Sequence, residues 1–551
     1  MLDKLRNKKI SLVIFLGIII VTVVLRLWQI GAVPPSPDWD EAALGYNAYS
    51  ILLTGRDEYG KFLPVILRSF DDYKPALYTY FVIPFVKFLG LNLIAVRIPS
   101  VIFGVIAVIA CYFFIKEIVK NKYSDVLALL SSFLLAISPW HIQFSRIAFE
   151  AQVGLSFNLL SYLFFLKGLK KHIYLPLFAL FASLSIYIYQ SEKAYLPILF
   201  LLFFAIYRKE ILKIPKKWIV TTIIIGIIFA APMFYLLVTD KNSLMRAKGV
   251  SVFSDQTQFL KKNARKVQID QQNKDLVGLV VDNRRLEFAK ATISGYIAHF
   301  DFNWLFITGD IERHHAPNMG LLYLIELPFL LFGIFKLLFG SFDKKSKFVI
   351  FSIFLTAPIP ASITSGVPHA VRTINFLPTF QIFAAIGLIY AFLYVYKKRF
   401  STVFYTAFLF FTLLNFGYYL DQYFVQQNYY FSENWQYGYK DAVDYVMQNK
   451  AKYQKVVVSN DRPLDQSYIF FLFYTKFNPK KYQEEGGTVS GGFKEPHKGF
   501  DNITFRLIDW NKEERTGKIL YVGRPDDFPS GAHVLKNISY LNGKPAIKIV
   551  D

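Results

Sequence analysis

Long apolar runs recur along this chain, each bounded by a short polar or charged stretch. The first, Ile10–Ile30, is long enough to cross a bilayer, which takes about 20 residues. It exceeds a signal-peptide core and no small-residue cleavage site follows it, so it reads as a retained span. The same pattern predicts further spans at Ile98–Ile118, Val126–Pro139, a segment ending at Lys167, Leu175–Tyr189, Tyr195–Tyr207, Trp218–Val238, Gly320–Phe339, Phe348–Ile363, Ile374–Tyr396 and Val403–Leu420. PALYTYFVIPFVKFLG, from Pro75, is shorter and interrupted by Pro84 and Lys87, and reads as a helix lying in the interface. From about Ser432 the long apolar runs stop. KDAVDYVMQN predicts an amphipathic helix, and KVVVSND, KILYVG, AHVLKNISYL and PAIKIVD predict strands. DQSYIFFLFYTKF predicts a helix or buried strand and is too short for a span. The expected fold class is a polytopic α-helical membrane protein of about 11 transmembrane helices with a C-terminal soluble α/β domain. The membrane domain covers 1–425, with a first outer loop at 31–97 and a large outer loop at 239–319, and the extracytoplasmic α/β domain covers 432–551.

Composition excludes an ordinary soluble protein: the 551 residues are 54% hydrophobic and 18% aromatic. The formal charge of +22 does not signal nucleic-acid binding, because its Lys and Arg lie in short clusters between apolar runs. MLDKLRNKK, Lys116–Lys122, Lys167–Lys171, RKEILKIPKK, DKKSK and KKR all fall on one side of the same threading, as the positive-inside rule requires. That orientation puts the chain in the cell membrane with a cytoplasmic N-terminus. The single Cys111 excludes a disulfide framework and a cysteine metal site. Thr239–Asn318 is polar and stays outside, with an aromatic tail, ISGYIAHFDFNWLFITGDIERHHAPNMG, against the membrane.

One stretch is out of character. Pro34–Lys74 carries Asp38, Asp40, Glu41, Asp57, Glu58, Asp71 and Asp72 against Arg56, Lys61, Arg68 and Lys74. Carboxylates beside a bilayer are costly unless they have work to do, so Asp40-Glu41 is the expected reactive centre. Other polar sets fall on the same outer side: Asp71, Asp72, Tyr73 and Lys74; His141, Arg146 and Glu150; Tyr187, Gln190, Glu192 and Lys193; His314 and His315; His369 and Arg372. Carboxylates suit general-base work on an acceptor, and cations suit a departing phosphate. This mixture fits a lipid-phosphate donor and an outward-facing acceptor. Adjacent His314 and His315 diverge, so a metal there needs further ligands. No closed ligand pattern is visible and a divalent metal stays open.

The stretches PDWDEAALGYNAYSILLTGRDEYGKFLP, FDDYKPALYTY and VRIPSVIFG resemble glycosyltransferase family 39, the dolichyl-phosphate-mannose–protein mannosyltransferases and their bacterial relatives. SPWHIQFSRIAFEA, the Tyr187–Pro197 stretch and VPHAVRTINFLP are similar to the bacterial members. The family shares the GT-C fold with the lipid A aminoarabinose transferases. The resemblance implies inverting transfer of a sugar from a polyprenyl-phosphate donor to a protein, lipid or glycan acceptor on the outer face. It implies Asp40 as catalytic base with Glu41 beside it, Lys74 on the donor phosphate, and a site role for Glu150. Arg146, His369 and Arg372 match it less closely, and the Lys74 motif reads KPA where the family has KPP. Two other classes stay open: a transporter of lipid-linked sugars, which requires polar residues at mid-span, and a scaffold whose working part is the C-terminal domain.

Overall fold

The computed structural model describes residues 7–240, 249, 251, 256–492 and 495–551. The start of the basic N-terminal segment and parts of the large outer loop therefore lie outside the described residues. The chain forms two compact units, each discontinuous in sequence. One holds residues up to Val23, Gly104–Ile142 and Ala151–Phe416; the other holds Val24–Phe103, Gln143–Glu150 and Gly417–Asp551.

Most of the helices follow the apolar pattern, and further elements form inside the two expected outer loops. In chain order the elements are α1 (Lys8–Leu27), α2 (Trp39–Thr54), β1 (Ile66–Ser69), β2 (Asp72–Pro75), α3 (Leu77–Leu89), α4 (Leu93–Ile118), α5 (Ser124–Ile137), α6 (Pro139–Phe144), α7 (Glu150–Gly168), α8 (Leu175–Ser185), α9 (Glu192–Ile206) and α10 (Lys216–Thr239). There follow α11 (Gln256–Gln272), α12 (Leu276–Val281), α13 (Arg284–Ala298), α14 (Glu326–Phe339), α15 (Lys344–Thr356), α16 (Thr379–Val395) and α17 (Ser401–Asp421). Among the described residues, five helical segments are long and apolar enough to cross a bilayer: Lys8–Leu27, Leu93–Ile118, Lys216–Thr239, Ile374–Val395 and Ser401–Phe431. The other expected spans are shorter or divided. Proline supplies the reason at one place: Pro358 and Pro360 end α15 after Thr356. In Lys216–Thr239 only 6% of the apolar window is buried, so this helix presents its surface to lipid.

In the first unit, α14 and α16 meet backbone to backbone. A Cβ added at Gly333 would lie 1.7 Å from Phe383 O, and one at Gly387 1.8 Å from Phe329 O. Close approach of this kind is how helices gain packing where water drives nothing. Nearby, Glu192 at the start of α9 is buried and accepts hydrogen bonds from Asn158 Nδ2 at 2.6 Å and Asn375 Nδ2 at 2.9 Å.

The second unit is built on a six-stranded sheet. Its elements are α18 (Tyr439–Asn449), β3 (Lys455–Val458), α19 (Ser467–Thr475), α20 (Pro479–Glu484), β4 (His497–Phe500), β5 (Ile503–Phe505), β6 (Ile519–Gly523), β7 (Val534–Ser539) and β8 (Pro545–Val550), and the strand order is β4-β5-β3-β6-β8-β7. β3 runs parallel to β5 and β6, with antiparallel pairs outside them. DQSYIFFLFYTKF resolves to helix α19. It is apolar on every side because it is covered twice: Phe471 packs on Phe505 of the sheet, and Phe473 presses on α2. Gly45 makes that second contact feasible, since a Cβ there would stand 2.6 Å from the Phe473 ring. Gln483 of α20 donates to Ser50 Oγ and Thr54 Oγ1, and Tyr46 donates to Phe477 O. The helix that carries Asp40 is thus seated on the C-terminal sheet domain.

Candidate active site

Asp38 caps α2, its carboxylate accepting from Glu41 N at 2.8 Å, which places Asp40 and Glu41 in the first helical turn. The antiparallel hairpin β1–β2 pairs Leu67 with Lys74 and Ser69 with Asp72. Alternation along β2 puts Asp72 and Lys74 on one face and Tyr73 on the other. Lys74 Nζ forms a short ion pair with Asp40 Oδ1. Both groups remain partly accessible, with side chains 12% and 28% exposed, so this pair is reachable by a ligand. Asp40, expected as the base, and Lys74, expected on the donor phosphate, lie 34 positions apart in sequence and are brought together.

Glu41 points elsewhere. Arg97 grips it with two parallel bonds, Nε to Oε1 and Nη2 to Oε2, each 2.8 Å. Arg97 also donates to Ile30 O, Pro34 O and Ser36 O, which uses all five of its N–H groups. Glu41 Oε1 accepts a further bond from Ala148 N at 3.0 Å. Both side chains are buried. Expected in the reactive centre, Glu41 is instead the link between α2, the base of α4 and the loop before Glu150. Arg97 was not singled out from sequence, although a lone arginine entering an apolar run is a signal in itself.

Arg146 likewise differs from expectation. Its guanidinium is buried and donates to Leu25 O, Arg26 O, Val33 O and Tyr423 Oη, between the rings of Tyr423 and Phe424. Four of its five N–H groups are thus engaged by protein, which makes it a brace rather than a phosphate ligand. Glu150 is buried at the first position of α7.

His141, Tyr187, Gln190, His369 and Arg372 belong to the other unit. His141 Nε2 meets Gln152 Nε2 at 3.0 Å. Tyr187 ties into α10, donating to Phe229 O and accepting from Met233 N. Gln190 accepts from Lys193 Nζ, and Arg372 donates to Thr364 Oγ1 and Ser365 O.

His369 takes part in the one metal-capable cluster among the described residues. Asp310, His314 and His369 each offer a ligand atom, all within 4.8 Å of one another. Asp310 Oδ2 meets His314 Nδ1 at 3.0 Å and accepts from Ala370 N. Burial by itself would raise the Asp310 carboxyl, but the neighbouring His314 and His369 hold it well below the usual range. Burial lowers His314, so its imidazole favours the neutral form a metal needs. A carboxylate with two imidazoles suits a divalent transition ion such as zinc. His315 turns away, its Nδ1 against Ala316 O and Met319 O, as expected for an adjacent pair. Asp310 was overlooked because it lies inside an aromatic stretch.

Within the acidic stretch, Glu58 was not singled out from sequence; it is fully buried, bonded to Asn47 of α2 at 3.0 Å and to Thr488 of the C-terminal domain at 2.8 Å. Burial raises its carboxyl to about 7, against the lowering effect of those two donors.

The chain thus has a GT-C-like fold, a helical membrane domain with a C-terminal sheet domain, and carries a carboxylate–ammonium pair in its first loop. Residues 73–235 match the family described as Dolichyl-phosphate-mannose-protein mannosyltransferase. Comparison with curated proteins finds no significant match. Among solved structures, the chain is similar to ArnT from Cupriavidus metallidurans in the apo state, with TM-score 0.52 and 11% identity over 98% of this chain and 97% of that one. The same protein bound to undecaprenyl phosphate gives TM-score 0.51 at 11% identity over the same shares, 98% and 97%. The apo oligosaccharyltransferase of Archaeoglobus fulgidus gives TM-score 0.51 at 12% identity over 85% of this chain, which spans 64% of that protein's length. The resemblance to family 39 thus has its counterpart in the family match, and the fold class it implies in these structural similarities.

Proposed function

We propose that this protein transfers a sugar from a polyprenyl-phosphate-linked donor to an acceptor at the outer face of the membrane, inverting the anomeric carbon. The observation that carries the reading is the accessible Asp40–Lys74 pair at the start of α2. The family match and the undecaprenyl phosphate bound by the structurally similar ArnT support a lipid-phosphate donor.

In this scheme the donor phosphate draws Lys74 away from Asp40 and takes its charge. The freed Asp40 carboxylate then accepts the proton of the acceptor hydroxyl or amine as that atom attacks the anomeric carbon. Attack comes from the face opposite the phosphate. The bond from carbon to phosphate oxygen breaks with its electron pair going to oxygen, where Lys74 stabilises the developing charge. Glu41 and Arg146 hold the surrounding backbone. Glu150, Asp72 and Tyr73 are candidates to position the acceptor. Mannose is the first sugar to try, because the matching family is named for it.

The test is release of polyprenyl phosphate from radiolabelled polyprenyl-phosphate sugars by protein in nanodiscs, with wild type and Asp40→Asn side by side, with and without chelator. Wild type alone should turn over. Equal turnover by Asp40→Asn overturns the assignment of the base, and no turnover with any donor, alongside tight donor binding by both forms, overturns the reaction.

A further inference from the structure

The large loop after α10 contains a helical hairpin unlike the polar loop expected there. α11 and α13 are held together by a Phe259–Phe288 ring stack at 4.5 Å and by Lys266 and Lys290 shared between Asp282 and Glu287. At its tip, α12 reads LVGLVV. Leu276, Val277, Val280 and Val281 are 76, 71, 63 and 41% exposed. The apolar surface continues along α13, where Leu286, Ile293 and Ile297 are exposed. Spacings of seven and four residues place these three within about 40° of one another around the helix.

A helical hairpin with a bare apolar edge needs something to cover it. Two observations say what. The base of the hairpin is fixed to the end of a helix of the membrane domain: Tyr296 donates to Leu355 O of α15 at 2.9 Å, and Gly295 lies so close to Ser362 O that a Cβ would stand 2.8 Å away. The hairpin that bears this edge is also basic. Residues 256–298 hold eight Lys and Arg (Lys261, Lys262, Arg265, Lys266, Lys274, Arg284, Arg285, Lys290) against four acids (Asp270, Asp275, Asp282, Glu287), of which Asp282 and Glu287 are already paired. An apolar edge on a basic hairpin, rooted at a membrane helix, has the chemistry of an interfacial lipid anchor.

We infer that the α11–α13 hairpin lies on the bilayer surface beside its base, with α12 and the Leu286–Ile297 stripe in the acyl boundary and its basic residues on anionic headgroups. The inference is independent of the transfer reaction.

Because Cys111 is buried, an introduced cysteine is the one that reacts with a label. Nitroxides at Val277→Cys and Val280→Cys, in full-length protein in nanodiscs, are compared with one at Lys512→Cys, whose side chain is 83% exposed. Collision with oxygen should exceed collision with a water-soluble nickel chelate several-fold at the two tip positions and fall below it at Lys512. The tip ratio should rise further when phosphatidylglycerol replaces part of the phosphatidylcholine, and Lys261→Gln with Lys262→Gln should remove that rise. Tip labels as open to nickel as the Lys512 label, in both lipids, would overturn the inference. So would tip labels closed to both reagents with dipolar broadening between copies, which would mark a protein interface.

Discussion

The Glu41–Arg97 pair gives the sharpest test of how the first loop is held. Arg97→Leu leaves the Glu41 carboxylate buried without its partner and strips donors from Ile30 O, Pro34 O and Ser36 O. Removing one member of a buried pair costs about 3–5 kcal/mol, mostly through the uncompensated charge left behind. Glu41→Leu should cost a similar amount, because Arg97 then carries the orphaned charge and Ala148 N loses its acceptor. Glu41→Leu with Arg97→Leu buries no charge, so the double variant should lose well short of the two single losses summed. The assay is unfolding of purified protein in detergent, run as a double-mutant cycle, using unfolding rates if the transition proves irreversible. Effects additive to within about 0.5 kcal/mol would refute the coupling. A second readout separates brace from catalyst. Glu41→Gln keeps the shape and two of the acceptor contacts, so transfer should survive in whatever fraction stays folded. Abolished transfer with an unchanged unfolding transition would return Glu41 to the reaction itself.

Three further outcomes follow from the same contacts. Glu58 titrates near 7 when folded against an ordinary 4.5 unfolded, so the native state holds the extra proton between those values. Its contribution is full below about 4.5 and is lost as pH rises through 7, on the order of 3 kcal/mol, and Glu58→Gln should flatten that slope; an unchanged pH profile of unfolding would refute it. Gly387→Val forces α14 and α16 apart and should destabilise by about 1–3 kcal/mol or more, whereas Gly417→Ala, with open space around it, should be neutral or slightly stabilising in the same melting assay. If Asp310, His314 and His369 form a metal site, purified protein equilibrated with zinc and desalted should retain the metal, and His314→Ala with His369→Ala should abolish that retention; retention unaffected by both changes would exclude the cluster.

Much of this molecule was legible along the chain, because bilayer solvation and strand or helix periodicity act on consecutive residues. The apolar runs located α1, α4, α5, α7 to α10 and α14 to α17, the broken PALYTYFVIPFVKFLG run became the separate short helix α3, and the change near Ser432 preceded a sheet domain, whereas α2 and α11 to α13 lie in stretches read as polar loops. The acidic island was visible as a departure from the basic background, and Asp40 and Lys74 could be chosen within it. Their contact was not determined there. It needs the β1–β2 turn at Phe70, which adopts a positive φ of 60°, to fold Lys74 back across the first turn of α2. Partner choice among buried charges was equally out of reach. Glu41 and Asp40 are neighbours in sequence, yet one faces a fully engaged arginine 56 positions away and the other a reachable lysine. Successive residues of a helix point about 100° apart, so adjacent side chains meet different surroundings, and only long-range packing determines which surroundings those are.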